Sequence, residues 1–313
     1  MLISLVVALY AIWSSTFSIG KMALAFSPPV FLTGFRMFLA GMLLLGYLVI
    51  AKRSSFQLKM KQWGFLFILG FFSVYLTNIL EFWGLQYLSA AKASFIYSLS
   101  PFFSALFSYI HFGEKMNRRK WLGLGIGFVG FVPVLLLQTG SEDLLSVWKF
   151  LSLPSLALMG AALAGVYGWV LLRLAVKQSD ISPFMANGTS MFLGGAMALV
   201  HSFFVDSWNP IPIAQGHVYD VTKIVLILTF LSNIVCYNLY GMMLKRYTAT
   251  FLSFMGLLSP IFASLTGWVL LGEPISWTIF CSTAVVSMGL WIVYKAELKQ
   301  GYIVRKQPEQ ELS

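Results

Sequence analysis

Residues 94–114 read SFIYSLSPFFSALFSYIHFGE and residues 253–273 read SFMGLLSPIFASLTGWVLLGE, a shift of 159 positions. Under that shift Ser94 falls on Ser253, Phe95 on Phe254, Leu99 on Leu258, Ser100 on Ser259 and Pro101 on Pro260. Further along, Leu106 falls on Leu265, Gly113 on Gly272, Glu114 on Glu273 and Gly130 on Gly289. Each copy is an apolar run of membrane-spanning length with a Ser-Pro pair in its middle, and proline removes a backbone hydrogen bond and kinks a helix. The chain is therefore read as an internal duplication of a helical unit.

Outward from these two runs, apolar stretches of about 20 residues recur along the chain. They lie at 3–25, 30–51, 63–83, 89–112, 121–138, 153–175, 183–205, 223–244, 250–271 and 275–294, ten in all. These are numbered spans 1 to 10 below. The runs are continuous rather than alternating, which excludes barrel strands. The first begins without a basic region, its first cation being Lys21, and is too long for a signal-peptide core. Across the 313 residues 58% are hydrophobic and 10% charged, less than half the charge of a soluble domain. That composition excludes secreted, disordered, collagenous and cytosolic classes.

The net charge of +10 forms no single basic face, and nucleic acid is not an expected partner. Its distribution sets orientation instead. With the N-terminus cytoplasmic, sixteen Lys and Arg fall in inside loops and the tail, against only Lys149 and Lys223 outside. Both termini are then cytoplasmic. Because each copy has an odd number of spans, the second enters the membrane from the opposite side. Accordingly Gly113-Glu114 is followed by Lys115, Arg118, Arg119 and Lys120, whereas Gly272-Glu273-Pro274 is followed by no cation before Lys295. The expected fold class is an all-α membrane protein of ten transmembrane helices. Its units are residues 1–139, an inverted copy at 150–297, and a polar cytoplasmic tail at 298–313. Inverted repeats of this kind are how many secondary transporters alternate their access.

The Leu99-Ser100-Pro101 to Gly113-Glu114 run and its copy resemble the EamA repeat of the drug/metabolite transporter superfamily. So do Trp13-Ser14-Ser15 in span 1 and the Pro28-Pro29 turn leading to Arg36 in span 2. The resemblance covers about residues 5–294 and implies ten helices around a central cavity, with four from each copy in the wall. It implies carriage of a small metabolite, often an amino acid or a derivative, by a multi-pass protein of the bacterial inner membrane.

Charged groups inside spans cost about 2.5–3.5 kcal/mol each on insertion scales, so each needs an account. Lys21, Arg36, Glu81 and Lys92 all fall in the outer third of the first copy, and the second has no charge at that depth. Lys21 and Arg36 are read as snorkelling to the interface, and Glu81 with Lys92 as an ion pair across a hairpin. The competing reading gives Arg36 or Lys92 a substrate carboxylate, since the planar guanidinium fork grips both oxygens. Of the four, Arg36 alone matches a position of the family.

Aromatic residues reach 16%. Trp13, Phe95, Tyr97, Tyr167, Tyr237 and Phe254 are candidates for a cavity wall that stacks a planar base or attracts a sulfonium or ammonium. Asn78, Asn187 and Asn238 are read as ligand contacts or as glue between helices. Pro101 and Pro260 are candidate hinges. Gly123-Leu124-Gly125-Ile126-Gly127 follows no strand and is read as close helix packing, with Ser282, Ala284 and Gly289 as its small counterparts in span 10.

No phosphate loop, zinc-protease motif or nucleophile with a nearby base occurs, and Cys236 with Cys281 offers neither disulfide framework nor metal spacing. No metal or cofactor is expected. The chain is read as a secondary transporter and not an enzyme, working on a small molecule in the lipid bilayer, its oligomeric state left open. Two substrate readings stay open. One is an amino-acid-like or nucleoside-amino-acid metabolite, with exchange of S-adenosylmethionine for S-adenosylhomocysteine, carried by a branch of the superfamily, as its specific form. The other is a proton-coupled exporter of amino acids or amphiphilic drugs, with Glu81 as the titrating group.

Overall fold

The computed structural model describes residues 2–51, 60–88, 90–97, 99–113, 116–138, 152–178, 181–271 and 277–301. Among them every regular element is helical, and helices occupy all ten stretches read as spans. Span 1 is α1 (Leu2–Leu24) and span 2 is α2 (Pro29–Ala51). Span 3 joins α3 (Met60–Leu69) to α4 (Thr77–Tyr87) through a π-helical segment, Gly70–Leu76. Span 4 is split into α5 (Ala90–Tyr97) and α6 (Ser100–Phe112), and span 5 is α7 (Arg118–Gln138).

The second copy follows suit. Spans 6 and 7 are α8 (Leu153–Gln178) and α9 (Pro183–Val205). Span 8 joins α10 (Val218–Leu228) to α11 (Tyr237–Met243) through a second π-helical segment, Thr229–Cys236. Span 9 is α12 (Ala249–Met255), a 3-10 turn at Gly256–Leu258 and α13 (Ser259–Leu271); span 10 is α14 (Trp277–Lys299). Seven of these helical stretches, among the described residues, are long and apolar enough to cross a bilayer.

The Ser-Pro pairs do more than bend their helices. Proline has no N–H to continue the ladder, and Pro101 and Pro260 each sit in the first turn of a new helix, α6 and α13. The π-helical segments begin at Gly70 and Thr229, the same 159-residue offset as the repeated motif. Where a π turn reverts to α, the ladder changes register and carbonyls lose their regular donors. Asparagine amides fill that gap in both copies. Asn78 Nδ2 donates to the carbonyls of Val74 and Ser73 at 2.8 and 3.5 Å. Asn238 Nδ2 donates to those of Ile234 and Asn233 at 2.8 and 3.4 Å.

Two helix pairs, α2–α9 and α7–α14, are packed through glycine. A Cβ on Gly41 would lie 2.3 Å from the backbone nitrogen of Phe192, and one on Gly195 would lie 2.3 Å from that of Phe38. Phe38 and Phe192 stack between them at 4.9 Å. Gly34 meets Leu199 while Gly188 meets Leu45, so residue numbers rise along α2 as they fall along α9 and the pair is antiparallel. The α7–α14 pair repeats the pattern. Gly123 lies against Gly289 and Val293, and a Cβ on Gly289 would fall 2.6 Å from the Gly123 carbonyl oxygen. Packing, as expected for the glycine run, is therefore its structural role. Of the small counterparts, Gly289 provides the contact, Ala284 is exposed and the Ser282 side chain lies outside the described residues.

A buried ion pair ties α7 to α14 at one end, Lys120 Nζ to Glu297 Oε1 at 2.7 Å. Glu297 Oε2 also accepts from Thr248, whose Oγ1 caps α12 by accepting from the Phe251 N–H at 2.9 Å.

Candidate functional site

A cavity of about 960 Å³, its mouth included, lies between the two copies. Within it about 120 Å³ is open to water, less than the ~300–1,000 Å³ of small-molecule sites. Its wall comes from spans 1, 2, 3 and 4 of the first copy and spans 6, 8 and 9 of the second. Four helices from each copy were expected. The second supplies three, because α9 is held behind the wall by its glycine contacts with α2. The π-helical segments and the broken helices carry the inward-facing serines: Ser73 and Ser232 from the former, Ser100 and Ser259 from the latter.

Part of the cavity wall is charged. Arg36 on α2 is 4% exposed, and its Nη2 donates to Asn78 Oδ1 at 2.6 Å. The guanidinium lies over the Phe82 ring, 4.7 Å from its centroid, and its buried Nε has no acceptor among the described residues. Asn78 thus works in two directions, closing the π turn with its amide nitrogen and fixing Arg36 with its amide oxygen. One helical turn beyond Asn78, Glu81 Oε2 accepts from the Tyr97 hydroxyl at 2.6 Å. All five residues belong to the first copy and line the wall.

Much of the remaining wall is aromatic. Trp13 lies 5.4 Å from Trp169, 5.4 Å from Tyr237 and 5.7 Å from Tyr240. Trp169 in turn lies 4.9 Å from Tyr237 and 4.4 Å from Tyr240. The rings touch one another at tilted or edge-to-face angles, with Trp13 and Trp169 half-buried and Tyr237 and Tyr240 buried, and together they form an aromatic platform. Beneath it the Tyr10 hydroxyl donates to the Leu252 carbonyl at 2.6 Å, pinning α1 to α12 over a core that includes Leu9, Cys236 and Met255.

Of the residues expected at the site, Trp13, Arg36, Asn78, Glu81, Tyr97 and Tyr237 come together on the wall. The side chains of Lys92 and Phe95 lie outside the described residues. Four others stand off the wall. Tyr167 packs its ring against Phe72, Phe107 and His111 on another face of α8. Phe254 is fully buried in the core beneath the platform. Asn187 donates to the Tyr237 carbonyl and to Asn238 Oδ1 at 3.0 and 3.1 Å, so both amides join α9 to α11 as glue. Lys21 donates to the Leu88 carbonyl at 2.9 Å, placing a cation at the carboxyl end of α4, where the helix dipole favours it.

Ser73 and Ser232 were missed as site residues, and Trp169 and Tyr240 were not singled out among the aromatic residues of the spans. The duplication itself held the signal, since Tyr10 and Trp169, Ser73 and Ser232, and Ser100 and Ser259 are each 159 residues apart.

A helical membrane bundle built from two like halves around a polarised cavity is the architecture of a carrier. The chain belongs to the EamA-like transporter family of the drug/metabolite transporter superfamily, whose profile matches residues 1–136 and 153–295. It is 40% identical over 295 residues, 94% of this chain and 91% of the relative, to a protein of Chlamydia muridarum named S-adenosylmethionine/S-adenosylhomocysteine transporter. It is 38% identical to the protein of that name from Chlamydia trachomatis serovar L2, covering 94% and 89% of the two chains. A crystal structure 16% identical to this chain superposes with a TM-score of 0.74 over 95% of this chain and 97% of that one, and shares the fold.

Proposed function

We propose that the protein exchanges S-adenosylmethionine for S-adenosylhomocysteine across a bacterial inner membrane, by alternating access of one central site. The observation that carries this reading is that one cavity wall holds both the charged residues Arg36 and Glu81 and a cluster of aromatic rings. Both compounds have the same two-ended form, an α-amino acid at one end and an adenine at the other. Arg36 suits the carboxylate and Glu81 the ammonium. The platform of Trp13, Trp169, Tyr237 and Tyr240 suits the base, whose stacking on an aromatic face contributes about 1–3 kcal/mol. The names of the chlamydial relatives support the same pair of substrates.

In this reading the chain crosses the membrane ten times, with both termini cytoplasmic and the second copy inverted. The antiparallel α2–α9 and α7–α14 pairs support the inversion, because each joins the corresponding helices of the two copies. The breaks ahead of Pro101 and Pro260 serve as the hinges of alternation, and the Tyr10–Leu252 bond is among those broken when the platform end opens.

The test is counterflow in proteoliposomes preloaded with S-adenosylmethionine, S-adenosylhomocysteine, single amino acids or buffer. Uptake of labelled S-adenosylmethionine accelerated only by the two adenosyl compounds is the expected result. Uptake driven by a proton gradient and indifferent to the load would replace exchange with proton-coupled export.

A further inference from the structure

We infer that Tyr97 is a positioning residue that acts through Glu81 to latch the broken helix of the first copy, so that the carrier changes sides only with a substrate ammonium in place. This rests on the exchange proposed above and says what makes that exchange obligatory.

Tyr97 is the last residue of α5, and α6 begins at Ser100 with Pro101 next. The chain turns tightly there, the Leu99 N–H donating back to the Ile96 carbonyl at 3.1 Å. At the edge of this proposed hinge the Tyr97 hydroxyl donates to Glu81 Oε2 on α4 at 2.6 Å, the length of a charge-assisted bond. Its ring packs edge-on against Phe17 of α1 at 5.8 Å. Tyr97 and Glu81 are both half-buried and both line the cavity, so a bound ligand reaches the carboxylate. The two charges of the wall are met by neutral partners: Glu81 accepts from Tyr97, and Arg36, in electrostatic reach of Glu81, donates to Asn78. The second copy cannot make the same bond. The residues 159 positions on from Glu81 and Tyr97 are Tyr240 and Gly256, and glycine has no hydroxyl to donate. The latch thus belongs to the copy whose carboxylate suits the ammonium.

Movement at the break draws Tyr97 off Glu81. In the empty carrier this leaves a half-buried carboxylate short of a donor, and a hydrogen bond to a charged group shifts an equilibrium by about 10- to 100-fold. An ammonium bound at Glu81 brings three donors and keeps the carboxylate satisfied while Tyr97 leaves. A ligand shifts a conformational equilibrium only through interactions that differ between its states, and this interaction differs. The loaded carrier alternates and the empty one is held.

The experiment compares two rates in proteoliposomes of the full-length chain loaded with labelled S-adenosylmethionine: efflux into buffer and efflux into S-adenosylhomocysteine. In wild type the second is expected to exceed the first by about 10-fold or more. Tyr97→Phe keeps the ring against Phe17 and removes only the hydroxyl. It should raise efflux into buffer by about 10-fold or more and leave efflux into S-adenosylhomocysteine within about threefold. The ratio of the two rates is read on one preparation, so loss of folded protein cancels from it. An unchanged ratio in Tyr97→Phe would overturn the inference and leave the exchanger in place. So would a ratio lowered only by slower exchange, which would make Tyr97 a substrate contact. Equal rates in wild type would overturn the exchange reading and the latch with it.

Discussion

The two copies build the same device after their third helix and put it to different ends. In the first copy Asn78 closes a π turn through Nδ2 while its Oδ1 accepts from Arg36. In the second copy Asn238 closes the corresponding turn through Nδ2 while its Oδ1 accepts from Asn187. The partner lies on the preceding helix each time, α2 or α9. Only the first pair faces the cavity, because α9 sits behind α2 and turns Asn187 into a buried joint. One duplicated scaffold thus yields a charged wall from one copy and, through Trp169, Tyr237 and Tyr240, an aromatic wall from the other. Divergence after duplication has left the wall's charged side chains in the first half of the chain and most of its clustered aromatic rings in the second.

Several substitutions break or sharpen that contrast. The largest effect belongs to Arg36→Gln, which should lower S-adenosylmethionine exchange by about 100-fold, the upper end for a charge-assisted pair. Melting in detergent should stay near wild type, and Asn187→Ala should leave exchange kinetics almost unchanged. Removing an aromatic face comes next. Trp169→Ala should raise the KM by about 30-fold through lost stacking, measured by initial rates over a range of substrate concentrations.

The scaffold makes a symmetric prediction. Gly41→Ala and Gly195→Ala meet backbone at the same 2.3 Å. Each should lose about 1–3 kcal/mol of stability by overpacking, with matching drops in detergent melting temperature. A large drop in one with none in the other would deny the equivalence of the two copies. The smallest change is expected from Glu81→Gln, about fivefold in exchange rate, since an amide oxygen still accepts from an ammonium. Loss of proton-gradient-driven uptake with exchange intact would instead assign Glu81 to proton traffic.

Much of this was legible in the residues alone. The ten stretches, the duplication and the glycine packing follow from apolar run length, self-similarity and four-residue spacing, which side-chain identity encodes directly. Arg36 and Glu81 announced themselves by the cost of charge in a span. The rest depended on facing. Tyr167 and Trp169 are two residues apart on one helix, yet Trp169 reaches the cavity and Tyr167 packs behind it. The difference is a rotation about the helix axis, invisible in a uniformly apolar run. The π-helical segments were hidden for a related reason. They shift the ladder by one residue without altering hydropathy, and that shift governs which way Asn78 and Asn238 point. Asn187 carries no mark in the sequence to separate glue from ligand contact.

The division of labour between the two walls is tested most directly by crossing half-substrates with half-site variants. Methionine and 5′-methylthioadenosine would each be titrated as inhibitors of S-adenosylmethionine uptake in wild type, Arg36→Gln and Trp169→Ala. The predicted pattern is crossed. Arg36→Gln weakens methionine about 10-fold or more and spares methylthioadenosine, while Trp169→Ala weakens methylthioadenosine and spares methionine. If both variants weakened both inhibitors to the same extent, the charged and aromatic walls would not be separate readers, and the account would fail.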